Sequence, residues 1–299
     1  MKQLLILSGK GGTGKTTVAS AFIKLAKAEA YADCDVDAPN LHLVAGWQSE
    51  PEKTDYYGMP HAKINPEKCT GCDRCREHCR FDAIVQGETH SVNRYACEGC
   101  GVCVAVCPEK AVALVPAVAG ELMLYKDKHK TFSSAQLKMG SGTSGKLVTE
   151  VKKQIRRAAG DVPLAIIDGS PGIGCPVIAS VSGVSLVLIV AEPTASGFSD
   201  MMRIVNTAAK FGTKIAICVN KYDINPKHTE KIEKFCEESG LPFVGKIPYD
   251  TEAVKAINNG RLIVDVDCIS GRAVREVYQK TMGLLLGKGY VKNVDQSFS

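Results

Sequence analysis

No apolar run in this chain is long enough to cross a membrane: the longest, Val184–Ala191, falls far short of the ~20 residues a spanning helix needs. No strong charge of either sign is present. The net charge of +5 over 299 residues is mild, and the basic stretches Lys126–Lys130 and Lys152–Arg157 have the length of ordinary solvated faces. Nothing in this balance points to a nucleic-acid partner. No signal-peptide pattern opens the chain, because Leu4–Leu7 runs straight into a glycine-rich loop. The tail Gly287–Ser299 is short and polar and lacks the amphipathic pattern of a membrane-targeting helix, so no membrane insertion is expected. Nor do the thirteen cysteines have the spacing of a secreted disulfide scaffold, and a reducing, cytoplasmic compartment is expected.

What the chain has instead is cysteine at regular spacing. Cys69, Cys72, Cys75 and Cys79 form one Cys-x2-Cys-x2-Cys-x3-Cys run; Cys97, Cys100, Cys103 and Cys107 form a second, followed by Pro108. The first cysteines of the two runs lie 28 residues apart. This is the ligand spacing of two [4Fe-4S] clusters. Zinc is the competing metal, since Cys-x2-Cys pairs also bind it. A third cysteine at x2 and a fourth at x3 disfavour that alternative. Cys34, Cys218, Cys236 and Cys268 fall on strand or helix patterns and read as small core residues.

The second motif is Gly9-Lys10-Gly11-Gly12-Thr13-Gly14-Lys15-Thr16-Thr17. It follows the apolar strand Gln3–Leu7 and precedes a helix read over Thr17–Ala28, the context a phosphate-binding loop needs. Glycines let backbone N–H groups approach phosphate oxygens. Lys15 offers a charge to the β- and γ-phosphates and Thr16 a hydroxyl to Mg²⁺. A second match, Gly140-x4-Gly145-Lys146, has Leu147 where a hydroxyl is required, and no strand is read ahead of it.

Downstream, helices are read over Ser144–Ala158, Ser199–Phe211, Lys227–Ser239 and Ser270–Leu286, and strands over Pro163–Ile167, Ser185–Ala191, Lys214–Val219 and Phe243–Ile247. The alternation predicts an α/β fold, a mostly parallel sheet with helices on both faces. Gln48–Gly58 is polar and reads as a linker. The cysteine segment interrupts the alternation. A discontinuous nucleotide-binding domain, 1–58 plus 119–299, with a small inserted α+β domain at 59–118, is therefore expected.

Residue for residue, Gly9–Thr17 resembles the deviant phosphate-loop ATPases: MinD, ParA, the Mrp-type cluster carriers and the nitrogenase iron protein. That resemblance implies ATP and Mg²⁺ as cofactors and a dimer, either of this chain or with a paralogous ATPase, across which Lys10 reaches the partner's nucleotide. It implies that Asp35, in switch I, orients the attacking water or the Mg²⁺ shell. Asp33 and Asp37 share its face if the segment is extended, as turn caps or further Mg²⁺ ligands. Asp168, at a strand's carboxyl end, is placed to hold Mg²⁺ through water. The following Asp168-Gly169-Ser170-Pro171-Gly172 resembles switch II, with the Gly172 N–H toward the γ-phosphate. Asn220-Lys221-Tyr222-Asp223 resembles the Asn-Lys-x-Asp base reader of GTPases, which contacts adenine in the ATPase families. Pro248-Tyr249-Asp250 is read as closing over the base.

The cysteine segment resembles bacterial two-cluster ferredoxins, in which the fourth cysteine of each run serves the other cluster. Carried over, this implies one set of Cys69, Cys72, Cys75 and Cys107 and another of Cys97, Cys100, Cys103 and Cys79. Arg80 stands where that family has proline after Cys79. Cys175 lies seven residues beyond Asp168, the distance of a cluster-ligating cysteine in the nitrogenase iron protein; a structural role is the alternative. The combined resemblance implies ATP-driven dimer switching acting on electron transfer or on iron–sulfur or metallocofactor assembly. The partners implied are an electron donor or acceptor, or an assembly protein. A positioning ATPase with structural or sensing clusters is the rival reading. Mrp-type carriers have a late Cys-x-x-Cys, which is absent after Cys107.

Overall fold

The structure, a computed structural model, describes residues 1–47 and 49–287. The chain opens with β1 (Lys2–Leu7), α1 (Lys15–Leu25), β2 (Ala30–Asp33), α2 (Leu41–Ala45) and β3 (Glu52–Tyr57). The cysteine segment follows: β4 (His61–Ile64), α3 (Arg74–Glu77), β5 (Ile84–Val85), β6 (Ser91–Val92), α4 (Val102–Val106) and β7 (Val112–Val115). Then come β8 (Val118–Lys126), β9 (Thr131–Leu137), α5 (Ser144–Ala158), β10 (Leu164–Asp168), α6 (Cys175–Val181), β11 (Leu186–Ala191) and α7 (Ala195–Lys210). The remainder is β12 (Lys214–Asn220), α8 (Pro226–Glu238), β13 (Phe243–Ile247), α9 (Thr251–Asn258) and α10 (Ile269–Leu286).

One nine-stranded sheet runs β13-β12-β11-β1-β10-β2-β9-β8-β3. Pairing is parallel from β13 through β9 and antiparallel at β9–β8 and β8–β3. Alternation along β1 feeds two cores. Leu5 and Leu7 pack with Ile167, Leu147 and Ile204 on one face; Leu4 and Ile6 pack with Phe22, Ile166 and Tyr278 on the other. Because the central strands are buried on both faces, they read as continuous apolar runs.

Four readings from sequence need correction. Gln48–Gly58 is not all linker: Glu52–Tyr57 is the sheet's edge strand, and it looks polar because only Tyr56 within it is buried. Gln48 lies outside the described residues, as does most of the tail Gly287–Ser299. A strand, β9, does precede Gly140; its buried Ser133 and Ser134 hid it from an apolar pattern. Helix α6 was not expected after the Pro171-Gly172 turn, nor α9, which Asp250 caps by accepting the Glu252 N–H at 2.9 Å.

The strands β4 to β7 do not join the nine-stranded sheet. β4 pairs with β7 and β5 with β6, over a separate small core of Ala62, Ile64, Cys75, Ile84 and Val112. The segment leaves the sheet after β3 and returns into its neighbour β8, and the Gly58 N–H meets the Ala117 carbonyl at 3.3 Å where the two ends touch.

Helix α6 is fastened from below by Lys152 of α5. This buried side chain donates to the carbonyls of Ala179, Ser180 and Ser182 at 2.5–3.3 Å, satisfying the free acceptors of the helix end. Lys152→Met should cost about 2–3 kcal/mol, read as a lower urea midpoint, because it strands buried acceptors. The exposed Lys153→Met is the control and should stay within ~0.5 kcal/mol.

Candidate functional site

The glycine loop lies between β1 and α1 at the carboxyl ends of the parallel strands. Gly14 caps α1 with φ +90°. A Cβ there would sit 2.3 Å from Asn220 Nδ2, so only glycine lets the loop and Asn220 meet. Asn220 Nδ2 donates to the Thr13 carbonyl at 2.6 Å, and Lys221 Nζ to the Gly12 carbonyl at 3.1 Å. These residues therefore brace the loop as well as facing the cavity beside it. That cavity, of about 210 Å³, is bordered by Gly12, Thr17, Asn220, Pro248, Tyr249 and Ile257. Asp223 Oδ1 accepts the Tyr249 N–H at 2.8 Å, which holds the Pro248–Asp250 turn at the cavity rim.

Asp168 ends β10 in register with Ile6 of β1, and so comes to lie under the loop. It is fully buried, with Lys15 Nζ 2.6 Å from Oδ1 and the Thr16 hydroxyl 2.7 Å from Oδ2. Burial alone would depress the Lys15 ammonium; the adjacent Asp168 carboxylate outweighs it and holds the group above its ordinary range. In this state the loop's lysine neutralises Asp168.

Asp33 ends β2, opposite Asp168 in register. The segment that follows is not extended, so Asp33, Asp35 and Asp37 do not share a face. Asp33 turns inward and accepts the backbone N–H groups of Asp35, Asn40 and Leu41 at 2.9–3.0 Å. Asp35 is half-buried, its carboxyl pushed up first by burial, against the pull of Lys15. Asp37 is exposed.

Lys10 pairs with Glu192 of its own subunit at 2.5 Å. Gly172, at φ +93°, donates its N–H to the Ser8 carbonyl at 3.0 Å, so a bond to phosphate requires release of this one. Cys175 is exposed at the start of α6, against Gly145. Cys34, Cys218, Cys236 and Cys268 are buried.

The eight clustered cysteines gather around two cavities. Cys69, Cys72, Cys75 and Cys107 border one; Cys79, Cys97, Cys100 and Cys103 border the other. Backbone N–H groups of Ala62, Ala83 and Ala111 point at Cys97, Cys79 and Cys107 Sγ at 3.2–3.4 Å, as donors to thiolate sulfur would. Among the described residues no three His, Cys, Asp or Glu side chains converge on a point that a single ion would occupy.

Residues 4–263 match the model of the CobQ/CobB/MinD/ParA nucleotide binding domain. The chain belongs to this family. It is 31% identical over 288 residues to an uncharacterised protein of Methanocaldococcus jannaschii, covering 93% of this chain and 95% of that one. It is 25% identical over 302 residues to an iron-sulfur cluster carrier protein of Pyrococcus abyssi, covering 95% and 86%. Among solved structures, the septum site-determining protein MinD of Pyrococcus horikoshii, complexed with Mg-ADP, aligns with TM-score 0.56 at 18% identity, over 95% of this chain and 96% of that one.

As a MinD/ParA-type protein, the chain keeps its loop, Asp168 and Asn220 in one cluster of strand ends. Sequence reasoning missed Glu192. It stands just past β11, at a strand's carboxyl end like Asp168, and that position was the available signal. It also left Asp33 between two roles, since a cap for three N–H groups is invisible until the turn is seen.

Gly14→Ala should weaken nucleotide binding at least tenfold, about 1.4 kcal/mol by calorimetry, because the loop must move off Asn220. A second expectation concerns pH. Burial, then the Asp168 charge, pushes Asp33 up to about 7 from 3.8. Its contribution to stability is complete below about 3.8 and is lost as pH rises through about 7. Urea midpoints of the wild type should therefore fall relative to Asp33→Asn across that window; parallel curves would refute the assignment.

Proposed function

We propose that this chain is an ATP-hydrolysing iron–sulfur protein in which nucleotide-driven dimer switching acts on electron transfer or on iron–sulfur or metallocofactor assembly. The observation that carries this reading is the grouping of eight cysteines into two sets of four around separate cavities, on the same chain as a complete phosphate loop. In this reading residues 59–118 form an inserted two-cluster ferredoxin domain and 1–58 with 119–299 the ATPase. The cysteine sets would each hold a [4Fe-4S] cluster, which when bound stores one electron. The name of the Pyrococcus abyssi relative agrees with iron–sulfur work, and the Mg-ADP complex of the MinD neighbour with the nucleotide.

The chain's own residues do the rest. With nucleotide bound, Lys15 would leave Asp168 for phosphate, and the Asp168 carboxylate and the Thr16 hydroxyl would hold hydrated Mg²⁺, whose charge would offset that of the phosphates. Asp35 is poised to orient water. Lys10 leaves Glu192 to reach across a dimer. Two contacts favour coupling to the cysteine segment. The Leu137 N–H donates to the Val36 carbonyl at 2.8 Å, and Gln136 Nε2 to the Asp37 carbonyl at 3.3 Å, tying the end of β9 to switch I. Just beyond, Gly140 faces Tyr95 and Gly142 faces Glu98, beside Cys97. A shift in switch I therefore has a short route along β9 toward the second cavity.

Anaerobically isolated protein should carry about eight iron and eight sulfide per chain. Lys15→Ala should abolish ATP binding, while Lys10→Ala should keep binding and lose hydrolysis and dimerisation. Unchanged cluster reactivity and partner affinity with and without Mg-ATP would defeat the coupling. Intact transfer of a cluster to an apo-protein would favour assembly; retained, reversibly reduced clusters would favour electron transfer.

A further inference from the structure

The two cysteine cavities descend from one repeat but are not chemically alike. Positions 28 apart correspond: Cys69 with Cys97, Cys72 with Cys100, Cys75 with Cys103, Cys79 with Cys107. By the same offset Asp73 corresponds to Gly101, and Ala62 to His90. The backbone bears this out. Asp73 and Gly101 both cap their helices in the left-handed region, at φ +65° and +78°. Ala62 borders the second cavity and His90 the first. Where the second cavity has Ala62 and Gly101, the first has an imidazole and a carboxylate.

That pair is built, not incidental. His90 is 5% exposed, and its Nε2 lies 2.6 Å from Asp73 Oδ1. Arg76 Nε also donates to Asp73 Oδ1, at 2.7 Å. Asp73 faces the Arg76 guanidinium, a donor only, and the His90 Nε2, so its carboxyl is the acceptor and the Nε2–H donates to it. The other ring nitrogen, Nδ1, is buried and has no partner in the protein. A buried nitrogen left in this way costs free energy unless the cavity's occupant bonds to it.

We propose that His90, positioned by Asp73, donates an Nδ1–H bond to the sulfur-rich group held by Cys69, Cys72, Cys75 and Cys107, and so makes that site the resting place of the electron. This rests on the two-cluster reading above. Thiolate and sulfide are acceptors, so with Asp73 on Nε2 each ring nitrogen faces an acceptor. A hydrogen bond to cluster sulfur favours the reduced, more negative state and raises its potential. With both sites loaded, the Asp73–His90 pair would bias a single exchangeable electron toward the site of Cys69, Cys72, Cys75 and Cys107 at the expense of the other. No bond breaks, and the electron enters from an external low-potential one-electron donor. The second cavity is the one whose Cys97–Cys100 turn lies beside the β9–α5 loop.

The test is a stepwise anaerobic reduction of the full chain, followed by electron paramagnetic resonance. Two distinct potentials are expected. His90→Leu should lower only the higher one, by at least tenfold in the one-electron equilibrium, equivalent to about 59 mV. Equal potentials in the wild type, or a variant that moves neither or both alike, would overturn the proposal. If His90→Leu fails to retain iron, wild-type protein labelled with ¹⁵N-histidine decides: one cluster's signal should show coupling to a histidine nitrogen, and absence from both signals is fatal. Iron and sulfide counts separate the two levels. A chain isolated with zinc overturns the cluster reading and this inference together, whereas a fully loaded chain with matched potentials overturns the inference alone.

Discussion

The buried contact between Lys15 and Asp168 is the constraint around which the rest of the ATPase half is arranged. Neither charge tolerates burial alone, and each is satisfied by the other at 2.6 Å. The pair exists because β10 lies beside β1 in the sheet, which sets the last residue of one strand under the loop that leaves the other. Any ligand that takes Lys15 away must leave Asp168 compensated. A phosphate that arrives with a divalent cation does both at once, so the geometry favours joint entry of nucleotide and Mg²⁺ over either alone. Asp33 adds a second buried carboxyl in register with Asp168, which sharpens the need for positive charge at this point.

The same strand ends also explain why the cysteine segment sits where it does. An excursion between two antiparallel neighbours, β3 and β8, leaves both ends of the segment adjacent and the sheet intact. Nothing in the parallel core has to be rebuilt to accommodate it. Yet β8 pairs with β9, and β9 ends against the Val36 carbonyl in the turn after β2. The segment is therefore peripheral to the core and close to the turn that follows β2. A site elsewhere on the surface would have had the first property without the second.

Much of this was legible from the residues alone, for identifiable reasons. β1, β10 and β11 are buried on both faces and announce themselves as unbroken apolar runs; the glycine loop is legible because so few residue types can wrap a phosphate. The grouping of the cysteines was legible through spacing and resemblance together. What escaped notice is what depends on tertiary context. Glu52–Tyr57 carries its ladder on an exposed edge, so its composition imitates a linker. Thr131–Leu137 packs serines where aliphatics are expected, and Ser133 is satisfied by Gln154 and the Val151 carbonyl, a partnership no local pattern contains. Asp33 looked like a ligand or a cap until the turn showed three N–H groups converging on it. Lys10 was read only as reaching toward a partner's nucleotide, because Glu192, its partner within the chain, lies far off in sequence.

The cysteine segment poses a separate folding problem. Its helices have four and five residues and its ribbons two strands each, elements too short to stand alone. Its buried apolar core amounts to Ala62, Ile64, Ile84 and Val112, with Cys75 among them and five further cysteines packed at the margin. A unit of this size ordinarily needs a metal or cross-links to supplement so little apolar burial. Burial raises Cys75 and Cys103 above the ordinary thiol range, the sulfurs of their own sets adding to the shift. Bringing those thiols together as thiolates is unfavourable without a cation to receive them. In the cluster-bearing reading proposed above, the side chains that form the core are the ones whose charge a metal centre would neutralise, and folding of this segment and loading of its cysteines would be a single equilibrium.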